Sequence, residues 1–93
     1  MIRSYRDDET RWVAERRRVR KFSEDVQRGA QKKLMMLNNA TTLNDLRTPP
    51  GNRLKALAGD RRGQHSIRIN KQWRVCFVWS DGAAWEVGIE DYH

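Results

Sequence analysis

Apolar residues between positions 22 and 37 recur every three to four places, whereas those beyond position 53 alternate with polar ones. The first pattern belongs to an amphipathic helix and the second to half-buried strands. Phe22, Val26, Ala30, Leu34 and Leu37 share one broad face, with Met36 beside them and Met35 pointing elsewhere. Ser23 is a natural cap and Glu24 and Asp25 fall in the first turn, so a core-facing helix is expected over residues 23–38. Further on, residues 53–57 alternate as a strand, with Leu54 and Ala56 on one side and Lys55 on the other. In the strand expected over residues 64–70, His65, Ile67 and Ile69 share one face and Ser66 and Arg68 the other. In residues 73–79, Trp73, Val75, Phe77 and Trp79 oppose Arg74, Cys76 and Val78. Asp81-Gly82 is a two-residue hairpin turn, and residues 84–90 return as a last strand in which Trp85, Val87 and Ile89 alternate with polar or small residues.

The remaining segments connect these elements. Residues 2–5 read as a short first strand. Asp7, Asp8, Glu9 and Thr10 place acids and a capping residue before a second, poorly amphipathic helix over residues 11–21. Residues 41–47 suit one further helical turn, Pro49, Pro50 and Gly51 break it, and residues 59–63 form a basic turn. The order is β-α-α-β-β-β-β, an α+β fold with a small antiparallel or mixed sheet and two N-terminal helices on one face. Residues 1–93 form one domain. One sheet face must pack on the helix that contains Ala30 and Leu34. The other is free to be polar, and there Arg74, Arg68, Lys55 and the C-terminal cluster can converge.

Composition narrows the class. A domain this small buries only about 60–65% of its unfolded surface, and its four tryptophans are expected to supply much of the core volume. Lysine and arginine number 19 against 12 acids, a formal charge of +7. Such an excess suits a nucleic acid, an acidic protein or an anionic surface, besides keeping a protein soluble. Arg16, Arg17, Arg18, Arg20 and Lys21 form the densest block, read either as a solvated helix end or as a contact for RNA or an acidic partner. The single cysteine, Cys76, allows no internal disulfide and reads as a small core residue, which fits a reducing cytoplasm. No segment reads as a secretory leader or a membrane span. Two histidines and one cysteine argue against a structural zinc site.

The chemistry concentrates at Glu90-Asp91-Tyr92-His93. Cleaving RNA without a metal requires a base for the 2′-hydroxyl, an acid for the 5′-oxygen and a cation for the phosphorane. Tyr92 and His93 are candidates for the proton transfers. Their reference pKa values, about 10 and about 6.5, make tyrosine the acid and histidine the base, unless nearby arginines exchange the roles. Arg74 is the best phosphate clamp, with Lys55, Arg61 and Arg68 as further candidates. Asp91 can orient His93 or Arg74, or serve as a surface charge. His65 shares the face of Ile67 and Ile69, which points to a half-buried ring, yet it adjoins the basic turn and stays a candidate for substrate contact.

Several stretches together resemble a known family. They are Pro50-Gly51-Asn52-Arg53-Leu54-Lys55-Ala56-Leu57, Gly59-Asp60-Arg61-Arg62-Gly63-Gln64-His65-Ser66-Ile67-Arg68-Ile69-Asn70, Gln72-Trp73-Arg74-Val75-Cys76-Phe77 and the terminal Glu90-Asp91-Tyr92-His93, with Met1-Ile2-Arg3-Ser4-Tyr5 at the start. This ordered set resembles the HigB toxins of the RelE/ParE superfamily. The resemblance implies a microbial RNase-like fold and an mRNA endonuclease that acts in the A site of the 70S ribosome. It implies metal-free attack of the 2′-hydroxyl, and neutralisation by a HigA-type helix-turn-helix antitoxin through which alone operator DNA is bound. The family's catalytic arginine falls on Arg74 and its terminal Asp, Tyr and His on Asp91, Tyr92 and His93. Lys55, Arg61, His65, Arg68 and Arg53 are then the expected substrate contacts. Some members carry a His and a Lys where this chain has Lys55 and Ala58, so one phosphate contact is missing and Lys55 is a poor neutral-pH base. A ParE-like gyrase inhibitor and a non-catalytic nucleic-acid-binding module stand as the alternatives. Arginines position a strand but specify little, so cleavage of free RNA is expected to be weak.

Overall fold

The computed structural model describes residues 1–91. Helices α1 (Asp8–Ala14) and α2 (Glu24–Asn39) are followed by strands β1 (Lys55–Ala56), β2 (Gln64–Arg68), β3 (Trp73–Ser80) and β4 (Ala83–Asp91). The four strands pair antiparallel in chain order. Residues 2–5 lie along the far edge of β4, parallel to it, with Ile2 bridging to Ala84 and Tyr5 to Val87. The expected first strand is therefore present as two bridges, and they make the sheet mixed.

Helix α2 forms where its apolar period predicts. The Ser23 hydroxyl accepts from the Val26 amide, and Ala30, Leu34 and Leu37 are buried. Gly29 lets the helix settle on the sheet, since a Cβ there would sit 3.2 Å from the Ile69 side chain. Helix α1 differs from expectation. It starts earlier, with Asp7 accepting from the Thr10 amide at 2.8 Å, and it stops at Ala14, before the basic block. Two causes combine. Arg16 and Arg20, like Arg17 and Lys21, would stack equal charges one helical turn apart. In addition, the buried Gln27 side chain captures the loop: its oxygen accepts from the Val19 amide and Arg18, and its amide donates to the Arg17 carbonyl. Val19 and Phe22 are then drawn into the core. The block is a loop rather than a helix end.

Short 3-10 turns lead into the sheet. Thr42 and Asp45 form a reciprocal capping box over Leu43–Arg47. The buried Asn52 donates to the carbonyls of Leu46 and Thr48 and accepts from Lys33. This fastens the proline-containing loop to α2. Arg53, next in the chain, adopts a left-handed conformation (φ 46, ψ 54), and β1 is consequently only two residues long.

Ile67, Val75 and Ile89 form one cross-strand row facing α2, with Phe77 beside them. Phe22 meets the Trp73 ring edge-to-face at 5.1 Å. The Asp81-Gly82 turn has both residues at positive φ, as a two-residue hairpin demands. One register shift matters. Cys76 faces Gly88 but Val78 faces Trp85, so Glu86 and Val87 together oppose Phe77, and Glu86 takes φ 51. The extra residue inverts the alternation. Val87 and Ile89 point inward, whereas Trp85, expected on their side, is 38% exposed. The tryptophans do not fill the core as composition suggested. Trp12, Trp73 and Trp79 pack at its margin, and Phe77, Leu37, Leu46 and Ile67 are the largest fully buried side chains.

Candidate active site

Antiparallel register decides which side chains share the polar face. Lys55, Ser66, Cys76 and Gly88 form one row across the four strands, and Arg68, Arg74 and Glu90 form the next. Residues directly opposite lie on the same face, so this face carries Lys55, Arg68 and Arg74 together. Arg74 is central and only 8% exposed. Its Nε donates to the Ser66 hydroxyl at 2.8 Å and its Nη2 to the Arg53 carbonyl at 2.9 Å. Arg68 stands opposite it, an arrangement of equal charges that weakens a sheet. Arg68 turns aside to donate to the Asn70 carbonyl. Two cations held this close create a field that favours a phosphate between or beside them.

Glu90 closes the row from the other side. Arg61 grips its carboxylate with both Nη atoms while also donating to Gln64, and Arg6 adds a third contact at 3.0 Å. Burial alone would raise the Glu90 carboxyl, but hydrogen bonds from Arg61, the Cys76 thiol and Arg6 outweigh it and hold the group at about 2. Burial, reinforced by the neighbouring carboxylate, pushes the Cys76 thiol up to about 12, so it is no nucleophile near neutral pH. Gly88 makes room for Arg6, because a Cβ there would collide with the guanidinium. An open cleft of about 350 Å³ lies between Arg6, Arg61 and Gln64 and the bulge at Glu86.

His65 and Asp91 fall outside this cluster. His65 pairs with Phe77 in register and stacks on its ring, facing the groove of Leu43, Asn44 and Leu54. Its Nδ1 is buried without a hydrogen-bond partner among the described residues, and burial lowers its pKa. Asp91 stands opposite Trp73 and accepts from the Gln72 amide at 3.1 Å. Alternation therefore gives Arg74's face to Glu90 and the reverse face to Asp91. The basic loop also lies on the helical side: Arg17 covers Trp12, Lys21 covers Phe22, and Arg18 turns inward to Gln27.

Comparison with known proteins places this geometry in a family. The model for the RelE-like toxin of type II toxin–antitoxin system HigB matches residues 3–93. The chain belongs to the HigB-like toxin family. Toxin HigB-1 of Vibrio cholerae is 43% identical over 68 residues, which cover 73% of this chain and 72% of that protein. Endoribonuclease HigB of Proteus vulgaris is 34% identical over 71 residues, covering 76% and 75%. In three dimensions the fold is similar to a chain of the YoeB-YefM complex from Staphylococcus aureus, with a TM-score of 0.63 at 13% identity over 100% of this chain and 98% of that one.

In this HigB-like toxin the residues named from sequence separate into three groups. Arg74, Arg68 and Lys55 share one face. Arg61 reaches the same face with its guanidinium committed to Glu90, and Arg53 contributes a backbone carbonyl while its side chain is exposed. His65 and Asp91 lie on the reverse face, and Tyr92 and His93 lie outside the described residues. Sequence reasoning missed Ser66, Arg6 and the role of Glu90. Ser66 was legible in principle, since it alternates with Arg68 and falls on Arg74's face. Arg6 was not, because nothing local signals a contact across 84 residues.

Proposed function

We propose that the chain is an endoribonuclease toxin that cuts mRNA in the A site of the 70S ribosome without a metal ion. The observation that carries this reading is the guanidinium of Arg74, oriented by two neutral acceptors and faced by a second arginine. The name of the Proteus vulgaris relative, an endoribonuclease, agrees with it. In the reaction the 2′-oxygen attacks phosphorus, the bond from phosphorus to the 5′-oxygen breaks, and a cyclic phosphate and a 5′-hydroxyl result. One proton leaves the 2′-hydroxyl for a base and another reaches the 5′-oxygen from an acid. Tyr92 and His93 supply this pair, and Arg74 neutralises the added charge of the phosphorane. Lys55 and Arg68 hold neighbouring phosphates. Asp91, anchored to Gln72, fixes the end of β4.

This face offers cations rather than base-reading groups, so alignment of the 2′-hydroxyl must come from the ribosome. Such alignment contributes up to about 7–11 kcal/mol. A HigA-type helix-turn-helix antitoxin is the partner that neutralises the toxin and carries the pair to operator DNA, and the setting is the cytoplasm. No helix among the described residues is long and apolar enough to cross a membrane.

The test is primer extension on an mRNA translated in a purified system with EDTA-tolerant free-RNA controls. Cuts should require the ribosome and vanish with His93→Gln. Growth arrest without any cuts would reject the reading in favour of gyrase inhibition or simple binding. Efficient cleavage of free RNA would reject the dependence on the ribosome.

A further inference from the structure

We infer that Ser66 and the backbone carbonyl of Arg53 are positioning groups that aim the Arg74 guanidinium at the scissile phosphate. The inference rests on the nuclease reading and gives the two acceptors of Arg74 a measurable part in its rate. Ser66 is 1% exposed in β2, and its hydroxyl accepts from Arg74 Nε at 2.8 Å. A buried serine in a strand is otherwise an indifferent choice beside valine or threonine. The Arg53 carbonyl accepts from Nη2 at 2.9 Å. It faces Arg74 because Arg53 is left-handed, a conformation that non-glycine residues adopt only when the surroundings impose it. The imposing element is Asn52, fully buried and bonded to the carbonyls of Leu46 and Thr48 and to Lys33.

The two acceptors bind two nitrogens of a planar group, so together they fix its position and its rotation. Both acceptors are neutral groups fixed by the fold. A phosphate therefore meets a cation that is already oriented and need not reorganise as charge develops. The side chain and the carbonyl of Arg53 are separable in this scheme. The carbonyl aims Arg74, while the exposed side chain is dispensable to that task.

The experiment measures kcat and KM for cleavage on programmed ribosomes for the wild type, Ser66→Ala and Ser66→Thr. Ser66→Ala should lower kcat about 10- to 100-fold, the worth of a hydrogen bond to a charged group, with KM within about twofold. Ser66→Thr should restore most of kcat. Full activity of Ser66→Ala, a loss confined to KM, or no restoration by threonine would overturn the inference. In parallel, ¹⁵N spectra of the folded proteins should show the Arg74 Nε–H signal shifted in Ser66→Ala and kept in Ser66→Thr. If the wild type fails to cut, the nuclease reading falls on its own. The spectra then decide the positioning, and an unshifted signal in Ser66→Ala rejects it.

Discussion

Replacing Glu90 by glutamine tests whether its carboxylate joins three parts of the chain. Arg6 comes from the N-terminal segment, Arg61 from the turn before β2, and Glu90 from β4. The carboxyl has an ordinary value of 4.5 and is held at about 2 in the fold. That gap corresponds to roughly 3 kcal/mol of preference for the ionised form. The arginine side chains are 40% and 39% exposed against 27% for Glu90. Solvent screening therefore reduces the contribution to about 1–2 kcal/mol. The sign follows from the lowered value. Stability is fully present above the unfolded pKa and is lost as pH falls from about 5 towards 2. Asp45, held low by hydrogen bonds from the Thr42 and Thr41 amides, is common to both proteins and cancels from the difference. Urea unfolding at a series of pH values should show Glu90→Gln weaker by about 1–2 kcal/mol at pH 7, a Tm loss of about 5–15 °C. The two curves should converge towards pH 2. Parallel curves, or equal stability at pH 7, would refute the network as a stabilising element.

Two other changes probe separate regions. His65 has its pKa lowered by burial, so folding favours the neutral ring, and its contribution is lost as pH falls below about 6.5. His65→Leu should remove that part of the stability slope and leave ribosome-dependent cleavage within about threefold, because the ring faces away from Arg74; a loss comparable to that of Arg74→Ala would return His65 to the site. Asn52→Ala leaves the carbonyls of Leu46 and Thr48 without their buried donor and should cost about 1–3 kcal/mol in urea unfolding, with a fall in kcat through Arg53; unchanged stability would show that the loop is held elsewhere.

Local patterns proved readable wherever local forces decide. The cap and apolar face of α2, the helical turn over residues 41–47 and the Asp81-Gly82 hairpin all depend on residues within a few positions of one another. The two faces of β2 and β3 followed from strict alternation, and with them the grouping of Arg68 with Arg74 on the polar side. Legibility failed where distant residues intervene. Gln27 captures the chain at Arg17, Arg18 and Val19 and ends α1 early. The bulge at Glu86 is anchored by the Ser4 hydroxyl, and it turns Trp85 outward. The charge of Arg53 is visible in the sequence, whereas its carbonyl became relevant only once the left-handed turn was known.

The pairing of residues 2–5 with β4 also bears on how the molecule comes into being. Residues 2–5 must wait for β4, which comes much later in the chain: Ser4 meets Glu86 across 82 residues, and Thr10 meets Ile89 across 79. A nascent chain cannot assemble this sheet stepwise from its N-terminus. Arg6 lacks Glu90, though it already has Asp7, and β3 lacks one neighbour, until β4 has left the exit tunnel. For a protein proposed to attack ribosomes, a fold that cannot close before β4 emerges keeps partly made chains inactive.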